Sequence, residues 1–203
     1  MLRRLPIIGL FGSGTNITPE RATLARDAGV LIARLGAHLL TGASYAITEA
    51  AAVGFTSVKR RRGVCIGAIA RDKTGAFDKA NGGKDGTPYP NRYVELALFT
   101  TVADVEKAQD DATRNELNVL TANAIVALPG SVGTRGELQM AASCDGEAAK
   151  APAERRTVLV GPPEEFSREL RDLFVQTPNA AAAEAHVCHV LSAQGFLVEK
   201  LPA

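Results

Sequence analysis

The sequence predicts a three-layer, Rossmann-like α/β fold, in which helices cover both faces of a mostly parallel sheet of roughly seven strands. Two observations carry this prediction. Short apolar runs alternate with longer helical patterns from one end of the 203-residue chain to the other, which is the order expected of parallel strands joined by crossover helices. Two of these apolar runs end in Gly-rich loops that lead directly into helices, a pattern typical of doubly wound sheets.

The first half of the chain provides four predicted strands, at 6–11, 37–40, 64–70 and 94–99, and two helices, at 19–35 and 46–58. The first helix has the clearest boundaries, because Thr18 can cap it, Pro19 suits its first position and Gly36 can end it. Residues 71–91 are rich in Gly, Asp, Lys, Asn and Pro. They predict a long loop that can serve as a lid.

The second half repeats the alternation. A helix is expected at 103–120, a strand at 124–128, a Gly-rich loop at 129–134 and another helix after it. A strand at 157–160, helices at 163–174 and 180–192, and a last strand at 196–199 complete the pattern. No internal repeat interrupts it, so we expect one domain over residues 1–203.

Composition narrows the range of functions. The formal net charge is +1, which gives no global electrostatic reason to expect binding to nucleic acid or an anionic membrane. The three cysteines, Cys65, Cys144 and Cys188, form no CxxC pair. An odd number without a pair favours a reducing compartment. With no apolar segment as long as a membrane span, the sequence predicts a cytoplasmic protein.

The two Gly-rich loops are candidate anion sites. Carboxyl ends of parallel strands share one edge of a sheet, so loops 12–14 and 129–134 can face the same crevice. Small residues let an anion approach the backbone, and free N–H groups at a helix start point toward it. For Gly12-Ser13-Gly14 a plain strand–helix turn is an equally good interpretation.

The second loop is more specific. Residues 129–137 read PGSVGTRGE, which resembles the Pro-Gly-Gly-x-Gly-Thr-x-x-Glu signature of the LOG ("lonely guy") superfamily, often labelled "possible lysine decarboxylase". The second Gly of the signature is Ser131 here. Arg114 lies fifteen positions before Pro129, as the family's helix Arg does. Arg114-Asn115 and the segment 91–94 look more like the molybdenum cofactor carrier branch than the hydrolase branch.

The resemblance implies roles for particular residues. In the hydrolases of the family the Arg and the signature Glu are catalytic, which maps to Arg114 and Glu137; a carboxylate can stabilise an oxocarbenium-like state. Without the motif, Glu137 would be a first-turn Glu favoured by the helix dipole, and Arg114 a surface Arg paired with Asp110 or Asp111. The residues implied to hold ligand and phosphate are Gly12, Ser13, Gly14, Thr41, Gly42, Arg114, Asn115, Pro129, Gly130, Ser131, Gly133 and Thr134.

Three functional hypotheses follow from the resemblance. The first is a carrier that binds a phosphorylated pterin-type ligand, such as the molybdenum cofactor, or a nucleotide. The second is a phosphoribohydrolase that cleaves a nucleoside 5′-monophosphate into a base and ribose 5-phosphate. The third is a nucleotide-sensing module. Each takes a small phosphorylated ligand, and the family implies a homo-oligomer, a dimer or a tetramer.

Weaker signals have simpler interpretations. The basic run 59–62 is more typical of a solvated helix end than of a nucleic-acid contact. His186, Cys188 and His189 fall close together on a predicted helix, but no further ligand-type residues accompany them, so no metal site is predicted. His38 is expected to be structural, Cys144 a small buried apolar residue, and Tyr45 either a ligand contact or a cap of the crevice.

Overall fold

The structure is a computed structural model that describes residues 4–14, 17–69, 89–99, 110–144, 150–198 and 200–201. Most of the predicted 71–91 loop lies outside the described residues. So does the 103–109 part of the third predicted helix, and the side chains of 110–113. The interpretation of 71–91 as a lid, and the pairing of Arg114 with Asp110 or Asp111, therefore stay predictions.

The sheet has seven strands in the order β4-β3-β2-β1-β5-β6-β7, and every neighbouring pair is parallel. The predicted fold class is confirmed, with seven parallel strands where roughly seven were expected. The strands are β1 (Ile7–Phe11), β2 (His38–Thr41), β3 (Cys65–Ile69), β4 (Leu96–Phe99), β5 (Ala124–Ala127), β6 (Thr157–Val160) and β7 (Val175–Thr177).

In the described residues five α-helices lie between strands, α1 (Pro19–Arg34), α2 (Ile47–Ser57), α3 (Asp110–Thr121), α4 (Val132–Ser143) and α5 (Arg168–Leu173), and α6 (Ala180–Ala193) follows the last strand. Strand β5 shows how the layers divide. Ala124 and Val126 pack with α1, α2 and α6, whereas Ile125 and Ala127 pack with α3, α4 and α5. Because successive strand residues point to opposite faces, this alternation buries both faces of the sheet.

The first helix forms for the local reasons that the sequence suggests. The Thr18 hydroxyl accepts a hydrogen bond from the Arg21 N–H, and Pro19 occupies the first turn. The chain leaves the helix at Gly36, whose φ of 69° is a left-handed conformation that favours glycine.

The predicted last strand at 196–199 is wrong. Residues 196–198 form no strand, and the outermost position beside β6 belongs to β7 instead. Gly195 has φ of 80°, and further on the Leu201 N–H donates to the carbonyl oxygen of Arg34, the last residue of α1, at 2.7 Å. The apolar side chains of Phe196 and Val198 pack against the core from outside the sheet.

The single helix predicted at 163–174 is also wrong. Residues Pro163–Glu165 form a short 3-10 turn, and α5 begins only at Arg168. Ser167 causes the restart, because its hydroxyl accepts a hydrogen bond from the Leu170 N–H and caps a new helix. Between the two segments Phe166 is extended and buried in the core.

No helix in the described part of the chain is long and apolar enough to span a membrane.

Candidate ligand-binding site

The strand order places the two Gly-rich loops side by side. Strands β1 and β5 are parallel neighbours in the middle of the sheet, with Phe11 opposite Ala127. Just beyond them, the Leu128 N–H donates to the Phe11 carbonyl oxygen at 2.8 Å. The order of strands reverses between β1 and β5, and ligands of open α/β sheets bind outside the carboxyl ends of the strands at such a reversal.

The start of α4 is open at this edge. Ser131 is the N-cap residue, but its side chain makes no capping hydrogen bond, and the first turn contains no acidic residue. Residues 130–133 are all exposed, and Val132 retains 83% of its accessible surface. The first N–H groups of an α-helix have no partner within the helix. They are therefore placed to bind an anion, which the helix dipole also favours.

Gly130 and Thr134 shape this turn together. Thr134 is 5% exposed, and its side chain lies against the Gly130 backbone. A β-carbon at position 130 would lie 2.1 Å from the Thr134 hydroxyl oxygen and 2.4 Å from its Cβ. Only glycine fits there without a rearrangement, so this signature Gly has a steric reason in addition to any role in anion binding.

The first Gly-rich loop has a packing role as well. A β-carbon on Gly12 would lie 2.3 Å from Cγ2 of Ile47, so Gly12 permits the start of α2 to pack against the end of β1. The Ile47 N–H donates to the Ser13 carbonyl oxygen at 3.2 Å. Gly14 is exposed beside the Ser44 hydroxyl. Packing alone accounts for Gly12, whereas a β-carbon on the exposed Gly14 would meet only the Ser44 hydroxyl, at 3.3 Å.

The loop after β2 forms a neighbouring wall and is braced by Asn91. Asn91 is 2% exposed; its backbone N–H donates to the Ala43 carbonyl oxygen and its side-chain amide donates to the Ser44 carbonyl oxygen at 2.8 Å. The Thr41 hydroxyl is used inside this loop, where it accepts from the Ala43 N–H at 3.1 Å.

Two residues of this loop have strained backbones. Ala43 and Ala46 have φ values of 59° and 53°, which cost a non-Gly residue on the order of 1–3 kcal/mol each. Such strain persists only where surrounding contacts over-determine it. The hydrogen bonds of Asn91 supply that restraint, and the Tyr89 hydroxyl adds one to the Gly42 carbonyl oxygen at 3.4 Å.

A polar cluster joins the loop after β2 to helices α3 and α4. A β-carbon on Gly42 would lie 3.8 Å from both Nε of Arg114 and Nδ2 of Asn118, so both α3 side chains lie against this glycine. Asn118 then donates from Nδ2 to Oε1 of Glu137 on α4, at 3.3 Å. The sequence-predicted pair Arg114 and Glu137 thus belongs to one cluster, linked through Gly42 and Asn118.

The geometry argues against the helix-dipole interpretation of Glu137, whereas the pairing of Arg114 with Asp110 or Asp111 stays a prediction. Glu137 lies beyond the first turn of α4, where the helix-dipole effect has faded, and its carboxylate faces α3. Arg114 is half-buried against Gly42 rather than on the surface. Asn115, the next residue on α3, has a buried side-chain oxygen with no hydrogen-bond partner.

Sequence reasoning missed Asn118 as a site residue. Its signal was a polar residue four positions after Arg114, on the same face of the helix. Asn118 is 0% exposed, whereas its sequence neighbour Val119 enters the apolar core. The sequence indicates for Asn91 only that it begins a segment similar to the family, because its two hydrogen bonds to the loop after β2 join residues that are 47 or more positions apart in the chain.

The weaker candidates lie away from this edge. Arg61 forms an ion pair with Glu95 and lies over the Phe55 ring at 5.4 Å, so the basic run is partly structural. Nε2 of His186 is hydrogen-bonded to the Arg155 carbonyl oxygen at 2.9 Å, and burial is the main cause that lowers the pKa of His186. Among the described residues, no group of three or more His, Cys, Asp or Glu could hold a metal ion.

Two titratable residues, His38 and Cys65, lie at the amino ends of β2 and β3, away from the candidate site. Nδ1 of His38 accepts a hydrogen bond from the Val64 N–H at 3.1 Å, and burial lowers the pKa of His38. Burial, with a smaller contribution from Glu95, raises the pKa of the Cys65 thiol to about 12. This cysteine is therefore a protonated core residue rather than a nucleophile.

Comparisons with known proteins agree with this architecture. The structure resembles the molybdenum cofactor carrier protein from Chlamydomonas reinhardtii, with 26% sequence identity, a TM-score of 0.64 and coverage of 93% of this chain and 99% of that chain. It also resembles the molybdenum cofactor binding protein from the phototrophic bacterium Rippkaea orientalis, with 22% identity, a TM-score of 0.65 and coverage of 93% and 98%.

The same fold occurs in a DNA-processing protein. DNA processing protein A (DprA) from Streptococcus pneumoniae has 14% identity and a TM-score of 0.60, with coverage of 89% of this chain and 61% of that chain. A likeness at this identity concerns the fold alone. No curated protein sequence matches the chain significantly.

The family follows from the sequence match. The model of the SLOG cluster4 family matches residues 5–150, a range that contains both Gly-rich loops and the Arg114–Glu137 cluster. The predicted membership of this superfamily is thereby confirmed, and molybdenum cofactor carrier proteins are among the structures that the chain resembles. The chain belongs to the SLOG cluster4 family.

Proposed function

We propose that the chain binds a small phosphorylated ligand, a pterin-type cofactor such as the molybdenum cofactor or a nucleotide, and acts as a molybdenum cofactor carrier-like protein. The observation that carries the proposal is the open, uncapped start of α4 at the β1–β5 reversal, close to the strand ends. The likeness to molybdenum cofactor carrier proteins over nearly the whole chain supports it.

The phosphate has a defined place in this proposal. Its oxygens accept hydrogen bonds from N–H groups in the first turn of α4, around Gly133 and Thr134, because those groups have no partner within the helix. Gly130 keeps the turn free of a side chain at the point of closest approach. The positive end of the helix dipole adds to the attraction.

Arg114 holds the charged ligand from the other side. Its guanidinium carries several N–H donors in a planar fork that suits phosphate and carboxylate groups. It lies half-buried over Gly42, at the end of the strand next to β1. The remainder of the ligand lies along the Asn91-braced loop, whose strained backbone fixes one shape for that wall.

Binding can be measured directly by isothermal titration calorimetry with AMP and with a phosphorylated pterin. We expect the wild-type protein to bind at least one of them, and Arg114→Ala to weaken binding at least tenfold, since it removes a charge-assisted contact. Arg171→Ala is the matched control, because Arg171 is an exposed residue in the last turn of α5. Equal effects of the two substitutions would mean that net charge alone governs binding. No binding of either ligand would reject the proposal.

Hydrolysis of a nucleoside 5′-monophosphate is the second candidate function. The clustering of Arg114 and Glu137 through Gly42 and Asn118 favours it. Here Arg114 would hold the phosphate or ribose, and the Glu137 carboxylate would stabilise the positive charge that develops on the sugar or orient the attacking water.

Incubation with AMP separates the two functions. A hydrolase releases free adenine, and Glu137→Gln removes the carboxylate charge while keeping the size of the side chain. We expect AMP to bind without release of adenine, because the carrier is the function proposed first. Release that is lost in Glu137→Gln would instead establish the hydrolase, and release that survives would exclude Glu137 from the chemistry.

A further inference from the structure

The amide of Asn118 is an unusual buried group. The side chain is 0% exposed, yet its Oδ1 has no hydrogen-bond partner. A buried acceptor without a partner has given up its hydrogen bonds to water, and no hydrogen bond within the protein compensates for them, so it destabilises the fold. Native proteins keep such groups rarely, and each one calls for an explanation.

The orientation of this amide is fixed by its neighbour. Nδ2 donates to Oε1 of Glu137 at 3.3 Å. Exchanging the two ends of the amide would place Oδ1 against that carboxylate oxygen, and two acceptors repel each other. Asn118 therefore keeps its oxygen unpaired as a consequence of holding Glu137.

The position of the amide connects it to the ligand. Nδ2 of Asn118 lies 3.8 Å from the place where Gly42 would carry a β-carbon, beside Nε of Arg114. One turn earlier on α3, Oδ1 of Asn115 is also buried without a partner. Two unpaired amide oxygens thus lie one turn apart on α3, next to Arg114, the α3 residue to which the proposed function assigns ligand binding.

We infer that Asn118 selects the ligand: its Oδ1 accepts a hydrogen bond from an N–H or O–H group of the phosphorylated compound, while its Nδ2 holds Glu137. This inference rests on the proposed function. It adds that a phosphate group is insufficient, and that the preferred ligand carries a hydrogen-bond donor close to the phosphate. A ribose hydroxyl and a pterin or base N–H both meet this description.

Burial of the acceptor also explains why it discriminates. A ligand without the donor leaves Oδ1 unpaired, as it is in the free protein, whereas a ligand with the donor satisfies it. Sites that hydrogen-bond a ligand group reject analogues lacking that group far more strongly than apolar pockets do. The effect is concentrated in a single residue and can be tested there.

The first arm of the experiment measures binding. Asn118→Leu has nearly the same size and no acceptor. By calorimetry at constant ionic strength, we expect Asn118→Leu to lower the affinity for AMP at least tenfold and to change the affinity for inorganic phosphate less than twofold. If the substitution also lowers the affinity for ribose 5-phosphate, the donor belongs to the sugar. If the affinity for ribose 5-phosphate is unchanged, the donor belongs to the base. Both results support the inference. An equal loss of affinity for AMP and for inorganic phosphate, or no loss of affinity for AMP, would overturn the inference.

The second arm measures the free protein and does not depend on any ligand. Asn118→Leu removes the 3.3 Å hydrogen bond to Glu137 but also removes the buried unpaired Oδ1, and because a buried unpaired acceptor costs at least as much as one hydrogen bond contributes, we expect the variant to melt at the same temperature as wild type or higher. The matched control is Asn123→Leu, in the turn after α3. Both ends of the Asn123 amide are bonded, Oδ1 to the Ile7 N–H and Nδ2 to Gln194. That control should melt lower and keep its preference for AMP over phosphate.

A third variant guards against a purely structural effect. Asn118→Asp combined with Glu137→Gln keeps the size and the acceptor at position 118, and the amide introduced at position 137 replaces the donor that Asn118 supplied, so the ratio of AMP affinity to phosphate affinity should stay within twofold of wild type. A free Asn118→Leu protein that melts several degrees lower, or fails to fold, would overturn the inference. Wild-type protein that binds neither AMP nor a phosphorylated pterin would reject the proposed function itself, a result distinct from an unchanged ratio in Asn118→Leu.

Discussion

Close contact between Gly130 and Thr134 gives the start of α4 its shape. The threonine side chain occupies the space in which any other residue at position 130 would place its β-carbon. At Gly136, one turn further along α4, a β-carbon would meet nothing within 4 Å. Two glycines of the same segment therefore have opposite steric surroundings, and Ala substitutions at the two positions can be compared directly.

Gly130→Ala is expected to lower the free energy of unfolding by about 1–3 kcal/mol, since it forces an overpacked contact with Thr134. It should also abolish ligand binding, because the turn that presents the N–H groups must move. Gly136→Ala should instead stabilise the protein by about 0.5–1 kcal/mol, the usual gain of Ala over Gly in a helix. Urea denaturation and calorimetry measure both effects. Similar behaviour of the two variants would contradict the described geometry.

His38 links pH to stability at the opposite edge of the sheet. Its Nδ1 accepts a hydrogen bond from the Val64 N–H, and burial lowers its pKa from the ordinary 6.5. As pH falls below that value, the unfolded chain takes up a proton before the folded protein does. The stabilising effect of neutral His38 is therefore fully present above the unfolded pKa and is lost on acidification.

His38→Asn should make the loss of stability between about pH 7.5 and 5 shallower than in wild type, because asparagine keeps an acceptor near Val64 but does not titrate. Urea denaturation across this range measures the slope. Gln139→Ala, at an exposed position on α4 that carries no titratable group, is the control and should leave the slope unchanged. A His38→Asn slope as steep as wild type would exclude His38 as a contributor.

Individual residues of the site were predictable to very different degrees. The residues at 129–137 and Arg114 could be identified because their spacing matches a signature within one segment of chain. Asn118 could not, because its importance arises from Glu137, 19 positions away on another helix. The restraint that Asn91 places on the loop after β2 likewise depends on a contact across 47 positions.

At the level of elements, the close crossing of α1 and α2 is the most extensive helix–helix contact among the described elements. Gly29 on α1 would place a β-carbon 2.0 Å from the Ala51 carbonyl oxygen, and Gly54 on α2 would place one 2.1 Å from the Arg26 carbonyl oxygen. Backbone meets backbone at both points. The glycines therefore set the position of α2, and with it the loop after β2 that precedes this helix.

Gly54→Ala should destabilise the protein by about 3 kcal/mol, at the upper end for an overpacked contact, because the clash is with backbone that cannot rotate away. Asp27→Ala is the control on the facing helix, where the side chain is exposed, and should change stability by less than about 0.5 kcal/mol. Thermal or urea denaturation distinguishes the two. A mild effect of Gly54→Ala would mean that the helices lie further apart than described.

Elements were predicted well where their boundary signals are local. Thr18, Pro19 and Gly36 delimit α1 by their own chemistry, so its prediction is confirmed. Strand β7 has only three residues, too few for a periodic pattern, and its place in the sheet depends on β6. The segment 196–199 has the composition of a strand, but β7 already occupies the open edge of β6.

At the level of the whole molecule, the strand order decides where a ligand can bind. The reversal between β1 and β5 brings the loops after both strands together, and β2 adds the loop that contains Gly42. The order itself was not part of the sequence prediction, because parallel strands with similar apolar runs do not specify their neighbours. A single domain and a homo-oligomeric state stay predictions, and light scattering of the purified protein measures the latter.

The most direct test of this account is a crystal structure of the protein grown with AMP. The account predicts that the phosphate lies at the start of α4, with its oxygens about 2.7–3.2 Å from backbone nitrogens of residues 132–134, and with Arg114 in contact with the ligand. A phosphate bound elsewhere on the surface, with the first turn of α4 left untouched, would contradict it.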